Sequence, residues 1–245
     1  MTRRRWIADQ FSDSSASLTG AQAEHLARVL RAQPGSQADI VAGGRVFLGS
    51  IASVSHDEVR FDLLEEIAAE RALPLTLVLA IFKYDRLEWA IEKATELGVA
   101  TIVPVIARRT EKHLAQSADK RVERWRRLAH EAAKQSRRAD VPVIEDPTPL
   151  PARLKLANLS AVHILLAEDE RGTTLSQRIQ AALADSNTQC DLPEFHLAVG
   201  PEGGWAAEEL ALFANSGWLA ASLGPRILRA ETAAIAALAV AASLL

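Results

Sequence analysis

The sequence predicts an α/β protein whose mainly parallel sheet is wrapped by helices and preceded by a small β-rich domain. Three patterns carry this. From Leu75 onward, apolar strand-like runs alternate with amphipathic helical stretches, the rhythm of strand–helix–strand units. Leu75 to Phe82 is a continuous apolar run but for Thr76, as strands covered on both faces are. Before Arg71, short stretches alternate apolar and polar residues between tight-turn signals, as in a small barrel or curled sheet.

The elements follow in order. Thr19-Gly20-Ala21-Gln22 reads as a capping box opening a short helix with Leu26, Val29 and Leu30 inward. His25, Arg28 and Arg31 then share roughly one face. Asp39 to Val41, Arg45 to Ile51 and Val59 to Leu63 read as strands, joined at Gly43-Gly44 and at Ser55 to Glu58. Arg71 to Pro74 marks a boundary between domains 1–71 and 72–245. Asp85 caps a helix with Leu87, Ala90, Ile91, Ala94 and Leu97 as its core stripe, ended by Gly98. Thr101 to Ile106 is the next strand, with Pro104 expected at a bulge or edge. Asp119 opens a long basic helix with Val122, Trp125, Leu128, Ala129 and Ala132 inward. Val141 to Pro151 reads as a proline-rich loop. Ala161 to Ala167, Glu194 to Val199 and Leu219 to Leu223 complete the strands. His163 and His196 fall in apolar strands, where a satisfied core histidine is expected.

Composition narrows the function. With 245 residues, 49% hydrophobic and 24% charged, the chain is an ordinary globular protein of one or two domains. Cys190 stands alone, so no intramolecular disulfide or thiolate cluster is expected. The start lacks a signal-peptide core, and Glu231 to Leu245 is too short to span a bilayer. A cytoplasmic protein with no membrane and no metal is the expectation. The net charge of −3 hides an asymmetry: eleven Lys and Arg face four carboxylates between Arg108 and Arg138. Such a basic stripe on an acidic body fits a phosphate-backbone partner; a solvated, ion-paired helix face is the plainer alternative.

Two loops carry the ligand chemistry. Gly200-Pro201-Glu202-Gly203-Gly204 and Leu223-Gly224-Pro225-Arg226-Ile227-Leu228-Arg229-Ala230-Glu231-Thr232 each follow an apolar run and open a helix. Strand-to-helix turns are where α/β proteins hold ligands. No Gly-x-Gly-x-x-Gly, Gly-Lys-Ser/Thr or Gly-x-Ser-x-Gly occurs, and the six histidines have no metal-ligand spacing.

Together with Lys83-Tyr84-Asp85-Arg86-Leu87-Glu88, Lys93 to Val99 and Glu131-Ala132-Ala133-Lys134-Gln135-Ser136-Arg137-Arg138, these loops resemble the ribosomal small subunit methyltransferase E family. The likeness runs from about His25 to the C-terminus. It implies a PUA-like β-barrel followed by a SPOUT methyltransferase domain with a deep trefoil knot, working as a homodimer through the knotted domain. It implies S-adenosylmethionine as cofactor and N3 of a uridine in the decoding region of 16S rRNA, in the small ribosomal subunit, as methyl acceptor. Two positions depart from the family pattern: Ala206 removes a helix N-cap hydroxyl, and Ala230 replaces a threonine.

The resemblance assigns the cofactor to Leu166, Glu168, Val199, Gly200, Pro201, Glu202, Gly203, Gly204, Leu223, Gly224, Arg226, Ile227 and Leu228. Arg229 is expected to stabilise charge on the uracil carbonyls. Glu231 orients Arg229 or takes the N3 proton, with Glu202 as the rival base; an Arg229–Glu231 ion pair clamping the last helix is the structural alternative. Arg3, Arg4, Arg5, Arg28, Arg31, Gln135, Arg137 and Arg138 are the expected RNA contacts. A ribose 2′-O methyltransferase and a non-enzymatic assembly factor are the competing readings.

Overall fold

The computed structural model describes residues 5–69, 72–156, 160–185 and 192–245; Arg3, Arg4 and Cys190 lie outside them. It divides into two compact units, Met1–Arg71 with Ala133–Val141, and Ala72–Ala132 with Pro142–Leu245.

The first unit is built on strands β1 (Arg5–Ile7), β2 (Gln10–Phe11), β3 (Ser15–Thr19), β4 (Gln37–Ala42), β5 (Arg45–Val54) and β6 (Glu58–Ile67). They form one six-stranded sheet in the order β1-β4-β5-β6-β3-β2, antiparallel except for the β1–β4 pair. The β4–β5 hairpin closes through Gly43 and Gly44, at φ 58° and 77°. Two positive φ values in a two-residue connection match the twist of the strands, which is why glycines stand there. Leu18, Ile40, Val59 and Phe61 are fully buried between the sheet and helix α1 (Gly20–Glu24), which runs on as one π-helical turn, His25–Val29.

That helix departs from expectation at both ends. Thr19 makes no capping bond, because Asp9 Oδ2 takes both its amide (2.7 Å) and its hydroxyl (3.2 Å). Val29 is 66% exposed rather than inward, and Arg31, at φ 50°, has left the helix and does not extend the His25–Arg28 face.

The second unit holds seven parallel strands: β7 (Leu75–Ala80), β8 (Thr101–Ile106), β9 (Val143–Ile144), β10 (Thr148–Pro149), β11 (Val162–Leu166), β12 (Phe195–Val199) and β13 (Leu219–Ala221). Their order is β10-β8-β7-β12-β11-β13, with β9 also on β8. The helices are α2 (Tyr84–Glu96), α3 (Lys112–Ser117), α4 (Val122–Gln135), α5 (Leu150–Lys155), α6 (Leu175–Asp185), α7 (Ala207–Asn215) and α8 (Ala230–Ala242). Alternation along β7 feeds two layers. Leu75, Leu77 and Leu79 pack with Leu87, Ile91, Trp125 and Leu238, whereas Val78 and Ala80 pack with Trp205, Phe213 and Trp218. Trp125 is fully buried, as its stripe predicts, and α8 packs on α2 and α6.

The stretch 141–151 is not simply a loop: β9, β10 and the start of α5 lie in it. The amides of Val143 and Glu145 bond the carbonyls of Ala100 and Ile102. Two-residue alternation puts Pro104 on the same side of β8, after β9 ends and before β10 pairs with Val105 and Ile106. The missing N–H of Pro104 therefore falls where the outer ladder is broken. The long basic helix begins at Val122 rather than Asp119, behind the separate turn of α3. No helix among the described residues is long and apolar enough to cross a membrane.

His163 and His196 are register partners on β11 and β12, their rings 4.7 Å apart and buried under Trp218. His196 Nε2 meets Glu194 at 2.8 Å, and His163 Nδ1 meets the Ala161 carbonyl at 3.1 Å. The Nε2 of His163 has no partner, so this histidine is only half satisfied. Burial, with His196 beside it, lowers the His163 pKa to about 4. The unfolded chain binds this proton near pH 6.5 and the folded chain only near 4, so stability is lost as pH falls between those values. The loss amounts to about 3 kcal/mol. Urea unfolding at pH 7 and pH 4 should show His163→Leu gaining that much on the parent protein at the lower pH. An unchanged difference would mean that another group titrates.

Candidate active site

Strands β12, β11 and β13 are neighbours, and their carboxyl ends open into one cleft of about 580 Å³. With both faces of the sheet covered, strand ends are where backbone groups and polar side chains meet a ligand. Three loops build the walls. Leu166 to Asp169, with Arg171, come from the end of β11 and the loop after it; Val199 to Trp205 from the end of β12 onward; Ala221 to Gly224 and Arg226 to Ala230 from the end of β13 onward. All thirteen residues expected at the cofactor, from Leu166 to Leu228, line this cleft, and so does Arg229.

Each loop is fixed by its own chemistry. After β11, Glu170 accepts the amides of Gly172 (2.6 Å) and Thr173 (3.0 Å), which hold its carboxyl below the usual range. After β12, a Cβ on Gly200 would lie 3.1 Å from the Trp205 indole, so glycine lets the loop pass without displacing that ring. After β13, Gly224 sits at φ 111°, a conformation closed to other residues, and Ser222 Oγ caps its amide at 3.0 Å. Ile227, beside it, turns a large apolar side chain 75% into solvent at the cleft.

Ala206 provides no side-chain cap for α7, yet the helix start is held. Buried Glu209 accepts the amide of Ala206 at 2.8 Å and that of Arg108 at 2.7 Å. One carboxylate thus ties the loop after β8 to the loop after β12. Arg109, from the same β8 loop, donates to the Gly203 carbonyl and lines the cleft.

The charges are arranged differently from expectation. Glu231 is 5% exposed and is not among the cleft-lining residues. Its charge partner is Arg86, at the start of α2, with Nε 3.8 Å from Oε1. The same guanidinium lies 3.7 Å from Glu202 Oε1. Glu231 Oε2 has no hydrogen-bond partner. The side chain of Arg229, the N-cap residue of α8, has no ion pair or hydrogen bond among the described residues. Arg86 and Arg109 are cleft-lining side chains to which the sequence assigned no role at the site. Arg86 lies within the Lys83 to Glu88 motif, far from both loops in sequence; nothing in sequence ties Arg109 to Gly203.

The expected RNA contacts differ in availability. In the first unit, Arg5 donates to the Arg137 carbonyl at 2.8 Å, Arg28 meets Glu24 and His56 at 2.6 Å each, and Arg31, Gln135 and Arg137 are exposed. Arg138 is turned inward, its side chain 8% exposed against Asp140. In the second unit, Arg121 and Arg124 pair with Glu88, and Arg126 pairs with Glu123 and Asp146. Lys112, Lys120 and Arg127 have no ion pair among the described residues. No His, Cys, Asp and Glu cluster there has the arrangement to hold a metal.

Comparison with known proteins bears on this geometry. Residues 69–242 match a family described as RNA methyltransferase domain, and residues 18–64 one described as RNA methyltransferase PUA domain. The chain is 35% identical over 236 residues to the ribosomal RNA small subunit methyltransferase E of Synechocystis sp., covering 94% of this chain and 74% of that protein. It is 32% identical to that of Bacillus subtilis, covering 91% and 87%. Among solved structures, the Neisseria gonorrhoeae methyltransferase E bound to S-adenosyl methionine superposes with a TM-score of 0.78 at 26% identity, covering 97% and 95%. A methyltransferase of Legionella pneumophila with bound cofactor SAM gives 0.78 at 28% identity, covering 99% and 98%.

Glu209→Ala orphans two backbone amides at once. It should lower the unfolding free energy by about 3 kcal/mol in urea titration. A loss under about 1 kcal/mol would mean that water replaces the carboxylate.

Proposed function

We propose, from the premise that this chain belongs to the ribosomal RNA small subunit methyltransferase E family, that its cleft transfers a methyl group to N3 of a uridine in 16S rRNA. The observation that carries this reading is the meeting of three glycine-bearing strand-end loops with an unpaired arginine, Arg229, in one cleft. S-adenosylmethionine, when bound, supplies an electrophilic methyl sulfonium. The residues present suit it. Leu223, Ile227 and Leu228 offer apolar cover for an adenine, and the exposed Ile227 lacks such cover without a ligand. Leu166, Val199, Pro201, Gly203 and Gly204 bring backbone groups to the other walls, and Glu168 and Arg226 add polar ones.

The protein groups divide the work around the uracil. N3 of uridine carries a proton and is a weak nucleophile until that proton leaves. Glu202 lines the cleft with its side chain 32% exposed, within reach of solvent, and is the proposed acceptor. Arg229 supplies a fixed positive charge for the carbonyl oxygens on which the resulting negative charge resides. Glu231, outside the cleft lining, belongs to this set only through Arg86, the cation it faces at 3.8 Å.

Residues 1–71 are proposed as the PUA-like barrel that grips rRNA, and 72–245 as a SPOUT domain whose chain is knotted at the cleft. A homodimer through the second domain is supported by Trp89, 47% exposed on α2 beside α8. Such an enzyme works in the cytoplasm, where its ribosomal substrate is. Arg31, Gln135 and Arg137 from the first unit, and Lys112, Lys120 and Arg127 from the second, are the side chains proposed for phosphate contacts.

The test is methyl transfer from labelled S-adenosylmethionine to small subunits lacking the modification, followed by mapping of the base. Label at one uridine N3 is expected; label on a ribose oxygen would favour the 2′-O reading, and no label a binding protein. Arg229→Ala should lower kcat about 10²–10³-fold with cofactor affinity little changed. Replacing Arg127 and Arg137 by Ala should flatten the salt dependence of subunit binding by about two in slope. An unchanged slope would place the RNA elsewhere.

A further inference from the structure

The geometry points to Arg86 as a further catalytic residue, with Glu231 as the positioning residue behind it; the inference rests on the uridine methyltransferase reading. Arg86 lines the cleft with a third of its side chain exposed. Its Nε is 3.8 Å from Glu231 Oε1 and its Nη1 is 3.7 Å from Glu202 Oε1. Both distances exceed hydrogen-bonding range, so the guanidinium has its charge balanced while its N–H donors remain uncommitted. Glu231 is the reverse case. It is buried behind the cleft wall with Oε2 unpartnered, in no position to touch a proton on a bound base. A buried carboxylate of this kind persists through the cation it faces, and here that cation is Arg86.

The two arginines then have complementary places. Arg229 is the N-cap of α8, and Glu231, two residues on, ties Arg86 to the first turn of the same helix. When the N3–H bond breaks and the proton bonds to the Glu202 carboxylate, the electron pair left on N3 spreads over both flanking carbonyl oxygens of the uracil. One guanidinium fork answers one oxygen; two carbonyls call for two. Arg229 opposes the first, and Arg86 opposes the second, kept in place by Glu231. Transfer to Glu202 also neutralises the other carboxylate beside Arg86, leaving more of its charge for the uracil.

A double-mutant cycle on the full-length protein tests this, with small subunits as substrate. Arg86→Ala should lower kcat about 100-fold or more, with KM and S-adenosylmethionine affinity within about threefold. Glu231→Gln should lose nearly as much, and the double variant little more than Arg86→Ala, because Glu231 acts through Arg86. The double variant has no unpaired buried charge, so it controls for misfolding; its cofactor affinity reports an intact cleft. The acidic limb of the pH–rate profile should survive in Glu231→Gln. A 16S rRNA transcribed with 5-fluorouridine, whose N3 proton leaves more readily, should recover part of the Arg86→Ala loss. Full activity of Arg86→Ala, losses that multiply in the double variant, or disappearance of the acidic limb in Glu231→Gln would each overturn the inference. Wild-type protein that methylates no uridine N3 would instead sink the parent reading.

Discussion

The second unit depends on burying a parallel sheet on both faces. Every residue of β7 and β12 is buried, and their amides and carbonyls are engaged by neighbouring strands. Side chains alternate into two apolar layers, one dominated by leucines against α2 and α8, the other by Trp205, Phe213 and Trp218. Such a sheet leaves little room for polar chemistry along its length; Thr76 and the His163–His196 pair are buried in it, and His163 is held neutral by its burial. Ligand chemistry is therefore driven to the strand ends, and three adjacent ends make one cleft.

Much of that arrangement was legible because local rules govern it. A long apolar run announced β7 and a shorter one β12, and glycine placement announced the loops, since Gly200 and Gly224 answer to a steric contact and a backbone angle respectively. What was not legible depends on partners distant in sequence. Thr19 reads as an N-cap only if Asp9 is ignored, and Asp9 takes both of its donors. The segment 141–151 looks like loop because two-residue strands have no periodicity; they exist because β8 offers a free edge. Glu209 compensates for Ala206 by accepting the amide of Arg108, a partner 101 residues away.

Charge counting had a similar limit. The basic segment from Arg108 to Arg138 suggests an unbroken electropositive face, yet Glu88 occupies Arg121 and Arg124, and Asp140 draws Arg138 inward. Arginines near a phosphate backbone contribute through released counterions only when they are not already neutralised by the protein. Local pairing therefore separates the side chains that hold the helices from those, such as Arg127 and Arg137, that are exposed without an ion pair among the described residues.

The same distinction governs Arg229 and Glu231. Two residues apart in sequence, they invite reading as a pair. Residues two apart on a helix do not face each other, however, and here the helix begins between them. Arg229, in extended conformation at the N-cap, turns toward the cleft; Glu231, in the first turn, turns into the core. A carboxylate sent inward must find a cation, and no helix neighbour supplies one, so it comes from Arg86 on α2. Helix geometry thus splits one apparent ion pair into a free cation and a buried anion. The buried anion in turn fixes a second cation at the cleft, which neither motif alone predicts.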